Sequence, residues 1–217
     1  QVENFANDVK EKFDTIDILI NNAGVFDPES PNSAQGYDTT WAVNVMAPFL
    51  LTRRLLPLIA NSKSKYPRII TTSSISQASS LPNMKTLFEQ NGSPQSGHAA
   101  YSNSKLGDFM LNLQLHNTLN ACVDERLSRI KCFTMDPGTV NTKMLLAGWG
   151  ACGIDVSRAD NTYKLATEYG DEQQSGTSHF GGGGSAFAKQ QQNLRDLWNA
   201  LETHTGCTYN DIENGLA

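Results

Sequence analysis

The chain has no uninterrupted apolar run of about 20 residues, the length that a membrane-spanning helix requires. Its longest apolar stretches, Met46 to Leu51 and Leu55 to Ala60, are short and interrupted by Pro48, Arg53, Arg54 and Pro57. They are expected to be buried helix faces, and no transmembrane segment is predicted. Positive charge is also scarce: 17 Lys and Arg against 22 Asp and Glu leave a formal net charge of -5. That offers no basic face for a phosphate backbone and argues against a nucleic-acid partner. Cysteine is sparse too. Cys122, Cys132, Cys152 and Cys207 are irregularly spaced, with no CxxC and no histidine at zinc-ligand distance, so free thiols and no metal site are expected. Free thiols fit a reducing intracellular compartment, cytoplasmic by default. An initiator methionine and a signal or transit pattern are absent as well, since Gln1 opens a polar helix pattern; the chain reads as cut from something longer.

What is present is enough apolar material, 39% of 217 residues, to bury one core in a single domain over residues 1–217. Val2, Phe5, Ala6, Val9 and Phe13 recur at helical spacing, predicting an opening helix with one apolar stripe. Asp17 to Asn21 is a continuous apolar run expected to be a strand buried on both faces of a parallel sheet. A second helix is predicted from Ala34 to Ala60, kinked or broken at Pro48. Arg68 to Ser73 reads as the next strand, followed by a turn-rich excursion over residues 75–97. A strongly periodic helix from Ala99 to Asn120 leads to a third strand, Arg129 to Met135. Beyond Thr142 the pattern predicts a helix at Asn161 to Glu168, a short strand at Ser178 to Phe180, a flexible link at Gly181 to Gly184 and a last helix at Leu194 to Leu201 ending near Gly206. Strands alternating with helices predict an α/β fold, a doubly wound parallel sheet with right-handed crossovers.

In such sheets ligands bind outside the carboxyl ends of the strands. Asn21-Asn22-Ala23-Gly24 follows the first strand, Ser74 the second and Pro137-Gly138-Thr139 the third, so all three point at one crevice. Gly24 and Gly138 let backbone approach a bound group from either side, although each alone is equally an ordinary strand-to-helix turn. Tyr101 and Lys105 stand four apart on the periodic helix and share a face. A phenol with a pKa of about 10 is too weak a base at neutral pH, and a nearby ammonium is expected to lower it. The hydroxyl of Ser74 can then hold a reacting oxygen beside the phenol for proton transfer while hydride moves to or from a cofactor. Ser73 is the adjacent alternative. Strand alternation sends the two hydroxyls to opposite faces, so only one can serve. A lone YxxxK is a weak signal.

The order of the motifs adds weight. NNAG at 21–24, Asn44 in VNVMAPF, Ser74 after RIITTS, YSNSK at 101–105 and PGTVNT at 137–142 together resemble the successive motifs of the short-chain dehydrogenases/reductases. The resemblance covers the chain from the first strand to about Thr142. It implies a Rossmann-like fold and hydride transfer between NAD(P)(H), with NADP(H) the favoured form, and an alcohol or carbonyl. By the same resemblance Tyr101 is the general acid/base, Lys105 lowers its pKa and holds the nicotinamide ribose, Ser74 orients the substrate oxygen, and Asn44 holds a water that connects Lys105 to solvent. Asn22, Ala23, Gly24, Pro137, Gly138, Val140 and Thr142 are implied at the cofactor, Val140 by its backbone and Thr142 by its hydroxyl. The long separation of Ser74 and Tyr101 and the C-terminal LWNALETHTG are similar to retinol-dehydrogenase-like and WW-domain oxidoreductase-like members. That similarity implies a small-molecule substrate, a lipophilic alcohol or carbonyl, although a Leu/Trp pattern on a terminal helix also reads as core packing. Family pairing through the helices carrying Asn44 and Tyr101 implies a homo-oligomer.

The resemblance further implies a strand, a glycine-rich turn and a helix that receive the pyrophosphate, and these do not occur in the sequence. The opening helix corresponds to the one before a fourth strand, so the fold is read as truncated at its N-terminal strands, with the strand at Asp17 to Asn21 left as an edge. Two further readings stand beside an oxidoreductase. One is a catalytically silent binding or regulatory protein, against which intact Ser74, Tyr101 and Lys105 argue; the other is an inactive fragment. Ser74 lacks the GxSxG elbow of a serine hydrolase, and Gly181 to Gly184 lacks the Lys-Ser/Thr ending of a phosphate loop. These 217 residues alone are expected to bind dinucleotide poorly. Stoichiometric NAD(P)H binding in a fluorescence titration of the isolated chain would overturn that expectation.

Overall fold

Among the described residues, four short parallel strands organise the fold. They are β1 (Ile18–Asn21), β2 (Arg68–Thr72), β3 (Lys131–Met135) and β4 (Thr177–His179), in spatial order β1-β2-β3-β4. The computed structural model describes residues 1–92, 95–168 and 173–212; Ser93 and Pro94, within the predicted excursion, lie outside them. Helices flank the sheet: α1 (Val2–Lys12), α2 (Thr39–Trp41), α3 (Ala47–Ala60), α4 (Met84–Leu87), α5 (Gly97–Asn120), α6 (Glu125–Ser128), α7 (Lys143–Gly148), α8 (Asn161–Tyr163) and α9 (Gln191–Thr205). The α/β class with parallel strands is as expected. Register pairs Asn21 with Thr71 and Thr72 with Met135. The carboxyl ends of the first three strands are therefore flush, and the residues after them share one rim.

Both faces of the sheet are covered. Ile69 and Ile70 are adjacent in β2 and point to opposite sides. Ile69 joins the large core with Phe49, Leu56, Leu106 and Leu197, while Ile70 packs with Phe133, Met135, Leu165 and Ala166. The last two residues belong to a π-turn, Lys164–Glu168, that continues α8. β1 corrects the expectation of burial on both faces. Ile18 and Ile20, two apart and so on one face, are 37% and 39% exposed, because β1 has a strand neighbour on one side only and lies at the sheet edge. In α1 the predicted stripe is half used: Ala6 is buried, whereas Phe5 and Phe13 are exposed.

The second predicted helix begins at Thr39 rather than Ala34, where the Asp38 side chain accepts a hydrogen bond from the Trp41 N–H. It does not break at Pro48. A proline lacks an N–H, and its ring crowds the carbonyl four residues back. Here the turn before it widens into a π-turn, Ala42–Met46, in which the Ala47 N–H reaches the Ala42 carbonyl, and α3 continues to Ala60. Contrary to expectation, the combined 22-residue segment Thr39–Ala60 is long and apolar enough to cross a membrane. Trp41, Val45, Phe49, Leu55, Leu56 and Ile59 are buried within the protein, as in the core helix of a sheet protein.

α5 starts two residues before the predicted Ala99 because Ser96 caps it, accepting from the Ala99 N–H at 3.3 Å. Gly107 lets it lie close to α2: a methyl group there would stand 2.9 Å from the Trp41 ring. β3 begins later than predicted because Arg129 closes α6. α9 extends the predicted helix and stops at Gly206, whose φ of 65° is left-handed. Its Leu194, Leu197, Trp198 and Leu201 are buried, the core-packing reading of that pattern.

The glycine run is tied to the site loop. Gln77 donates to the Gly182 carbonyl at 2.7 Å and accepts from the Gly184 N–H at 3.1 Å. Gly184 has φ of 69°, and a methyl group there would run into the Phe109 ring. Gly184→Ala is therefore expected to lower stability by about 2 to 4 kcal/mol, from left-handed strain plus overpacking. The check is urea unfolding of the two proteins; equal midpoints would mean that Phe109 yields freely.

Candidate active site

α5 delivers two of the predicted residues to the rim. Tyr101 and Lys105, one turn apart, are 8% and 4% exposed, and the Lys105 ammonium lies 5.5 Å from the centre of the Tyr101 ring. Lys105 donates to the Thr72 carbonyl at 2.8 Å and to Asp108 Oδ2 at 2.9 Å. The two serines after β2 diverge as alternation requires. Ser73 Oγ donates back to the Lys105 carbonyl at 2.7 Å and accepts from Gln77, while Ser74 Oγ accepts from the Ser76 N–H at 3.0 Å and lies near enough to the Tyr101 phenol to lower its pKa.

The loop after β1 is brought to the same place. Asn44 sits in the first π-turn, fully buried. Its Oδ1 accepts from the Val25 N–H at 2.8 Å, and its Nδ2 donates to the Val25 carbonyl at 3.1 Å and to Ser104 Oγ at 2.9 Å. Asn44 thus clamps the NNAG loop to the helix carrying Tyr101. Asn22 accepts from Thr72 Oγ1 at 3.1 Å, and Ala23 is exposed on the rim. Gly24 makes room for protein groups, since a methyl group there would lie 3.3 Å from Asn44 Oδ1 and 3.8 Å from Lys105 Nζ.

The third strand end is held by Asp136, which sequence reasoning passed over. Its Oδ1 accepts from the Gly138 N–H at 2.6 Å and its Oδ2 from the Ile75 N–H at 2.5 Å, so one buried carboxylate fastens two loops. Gly138 turns with φ of 84°, leaving Pro137 half-buried and Gly138 exposed. Val140 is buried and bridges to Ile154, and the Thr142 hydroxyl caps α7, accepting from the Leu145 N–H at 3.2 Å.

A cluster of rings closes the mouth. Phe26 lies 5.7 Å from Tyr101, 5.0 Å from His98 and 4.7 Å from Trp149, and Trp149 lies 5.7 Å from Tyr101 and 4.9 Å from His98. Phe26 and Trp149 have no sequence signature. Their meeting depends on how the loop after β1 folds against the end of α7.

The electrostatics differ from expectation. Burial raises the Tyr101 phenol above its usual value and outweighs the lowering by Lys105 and by the nearby Ser74 side chain; Asp108 and Asp136 push it up further. The expected net lowering by Lys105 does not occur, because burial of the phenol outweighs the ammonium, with Asp108 adding to the rise. Asp108 was also missed in the sequence, although it is legible there as the residue three beyond Lys105 on the same face. It is 1% exposed, and desolvation raises its carboxyl to about 6 despite the ammonium beside it.

The rim suits the nicotinamide end of a dinucleotide. Lys105 uses two of its three N–H donors on protein, and Asn22, Ala23 and Gly138 are exposed at the strand ends.

Comparison with known proteins agrees in kind. The family model for short chain dehydrogenases matches residues 1–86. Polyprenol dehydrogenase of Mus musculus is 31% identical over 151 residues, 68% of this chain and 43% of that protein. Retinol dehydrogenase 14 of Mus musculus is 30% identical over 145 residues, 66% of this chain and 40% of that protein. The chain thus spans less than half the length of these relatives. Among solved structures, an uncharacterised protein from Mycobacterium paratuberculosis superposes with TM-score 0.71 at 24% identity, over 96% of this chain and 72% of that one. A short chain dehydrogenase from Escherichia coli CFT073 complexed with NADPH gives TM-score 0.57 at 21% identity, over 82% and 67%. Both share the fold.

Asp108 gives the site a pH signature. Its carboxyl takes up a proton near pH 6 when folded and near pH 4 when unfolded, so its contribution to stability is largest below about pH 4 and falls as pH rises to 6. Relative to the unsubstituted protein, Asp108→Asn should gain about 3 kcal/mol between pH 4 and pH 7. Urea unfolding at both pH values measures this. A pH-independent difference would show that Asp108 is not perturbed.

Proposed function

We infer that this chain, a member of the short-chain dehydrogenase/reductase family, is the catalytic part of an oxidoreductase that interconverts an alcohol and a carbonyl with Tyr101 as the proton-transfer group. The observation that carries this reading is the meeting of Tyr101, Ser74 and Lys105 at the carboxyl rim of the sheet. Beside Ser74, a substrate oxygen receives a hydrogen bond that places it against the Tyr101 hydroxyl. Tyr101 then gives a proton to that oxygen when a carbonyl is reduced, or takes one when an alcohol is oxidised. Its raised pKa favours the donating role, in carbonyl reduction, at neutral pH. A bound nicotinamide supplies or accepts the hydride. Lys105, Asn22, Ala23, Gly24 and the Pro137 to Thr142 turn would hold that end of NAD(P)(H), with NADP(H) favoured by the family resemblance.

The substrate is a small molecule, a lipophilic alcohol or carbonyl. Phe26 and Trp149 set ring surface against Tyr101, with His98 packed on both rings, and offer a polar substrate little beyond the reacting centre. Similarity to a polyprenol dehydrogenase and a retinol dehydrogenase supports the same class. In the full-length protein, Tyr101→Phe is expected to lower turnover of retinol or a polyprenol by at least 10²-fold. Dinucleotide affinity should change by less than about threefold, since the phenol contributes one contact among many. Steady-state rates with a fluorescence titration of NADPH test both, and unchanged turnover would remove Tyr101 from the mechanism.

A further inference from the structure

The Lys105 ammonium has almost no access to water, and its charge must be met inside the protein. Two groups meet it, the Thr72 carbonyl and Asp108 Oδ2. The first belongs to the sheet and is fixed. The second is a full charge one helical turn beyond the lysine, on the side away from Tyr101. We propose that Asp108 is a positioning residue, a counter-ion lock that holds the Lys105 ammonium back from the Tyr101 hydroxyl and offsets its charge. The inference rests on the reading of Tyr101 as the proton-transfer group for its functional meaning, but not for its test.

Three observations support it. The Lys105–Asp108 pair is at 2.9 Å with side chains 5% and 1% exposed, so water screens it little. Asp108 Oδ1 is buried with no hydrogen-bond partner among the described residues. A carboxylate placed only to brace the core would have both oxygens satisfied; here one oxygen is committed to Lys105 and the other to nothing, and desolvation raises the carboxyl accordingly. Finally, Asp108 acts on Tyr101 in the sense opposite to Lys105. The remaining ionisable groups around the phenol are few. Asp136 reaches it from the end of β3, also raising it. His98, at the start of α5, touches the Phe26 and Trp149 rings that contact Tyr101, and Asp27 packs on Gly97 at the same helix end. On β2, Arg68 is turned to the carbonyls of Leu165 and Ala166.

The lock has a defined consequence. With Asp108 ionised, the lysine is a neutralised pair and the phenol keeps its proton; without that charge, the ammonium is free to approach Tyr101 and favour phenolate. The test is a spectrophotometric tyrosinate titration of the full chain without cofactor, each protein read as its difference from the matching Tyr101→Phe variant. Asp108→Asn should move the Tyr101 midpoint down by about one pH unit or more, roughly tenfold more phenolate at a given pH. In a Lys105→Met background the same substitution should move it much less, because the lock has nothing to hold. An unchanged midpoint in folded Asp108→Asn overturns the proposal. So does an equal shift with and without Lys105, which would make Asp108 a direct charge on Tyr101 and no lock. If Asp108→Asn does not fold, Asp108→Ser carries the same expectations. Absence of turnover in the unsubstituted protein, with these shifts present, would sink the functional reading while leaving the lock intact.

Discussion

A lysine ammonium sealed in a protein interior demands compensation at short range, and the site is arranged around meeting that demand at Lys105. The Thr72 carbonyl supplies part of it because β2 ends where the face of α5 presents Lys105. Asp108 supplies the rest from the same helix. Once Lys105 is fixed, the backbone of α5 is fixed against β2, with Ser73 closing the contact from the strand side through the Lys105 carbonyl. Tyr101, one turn earlier on a rigid 24-residue helix, has little freedom left. Its position over the rim follows from the place of the buried charge behind it.

The polar residues of the site divide between those that face the crevice and those that hold the walls. Asn44 and Asp136 are wall residues in this structure. Asn44 uses its amide on the loop after β1 and on Ser104, and Asp136 uses both carboxylate oxygens on backbone N–H groups of different loops. Each satisfies buried backbone groups that strand ends would otherwise leave orphaned.

Much of this was legible in the sequence because it depends on local period. The 3.6-residue repeat of α5 places Tyr101 beside Lys105, and the period of two in β2 separates Ser73 from Ser74. The elements that were misplaced depend on neighbours. The exposure of Ile18 and Ile20 comes from their place at the sheet edge, which the composition of the run does not record. Pro48 predicts disruption of a helix, but the π-turn that absorbs it is set by tertiary packing of Trp41 and Val45. The sign of the Tyr101 shift was misjudged because a sequence pairs a phenol with an ammonium without showing how deeply both are buried. Asp108 was available on the same face and was overlooked; Phe26 and Trp149 meet only through the tertiary fold.

The shared carboxylate of Asp136 also has a mechanical side. Because one rigid three-atom group staples the chain at Ile75 to the chain at Gly138, those two lips move together or not at all. The opposite lip, behind Val25, is riveted to α5 by Asn44. Across from them Trp149, 39% exposed, meets Phe26 through a tilted face and His98 and Tyr101 through ring edges. Two sides of the site are thus fastened by hydrogen bonds from buried side chains, and the third by ring packing alone.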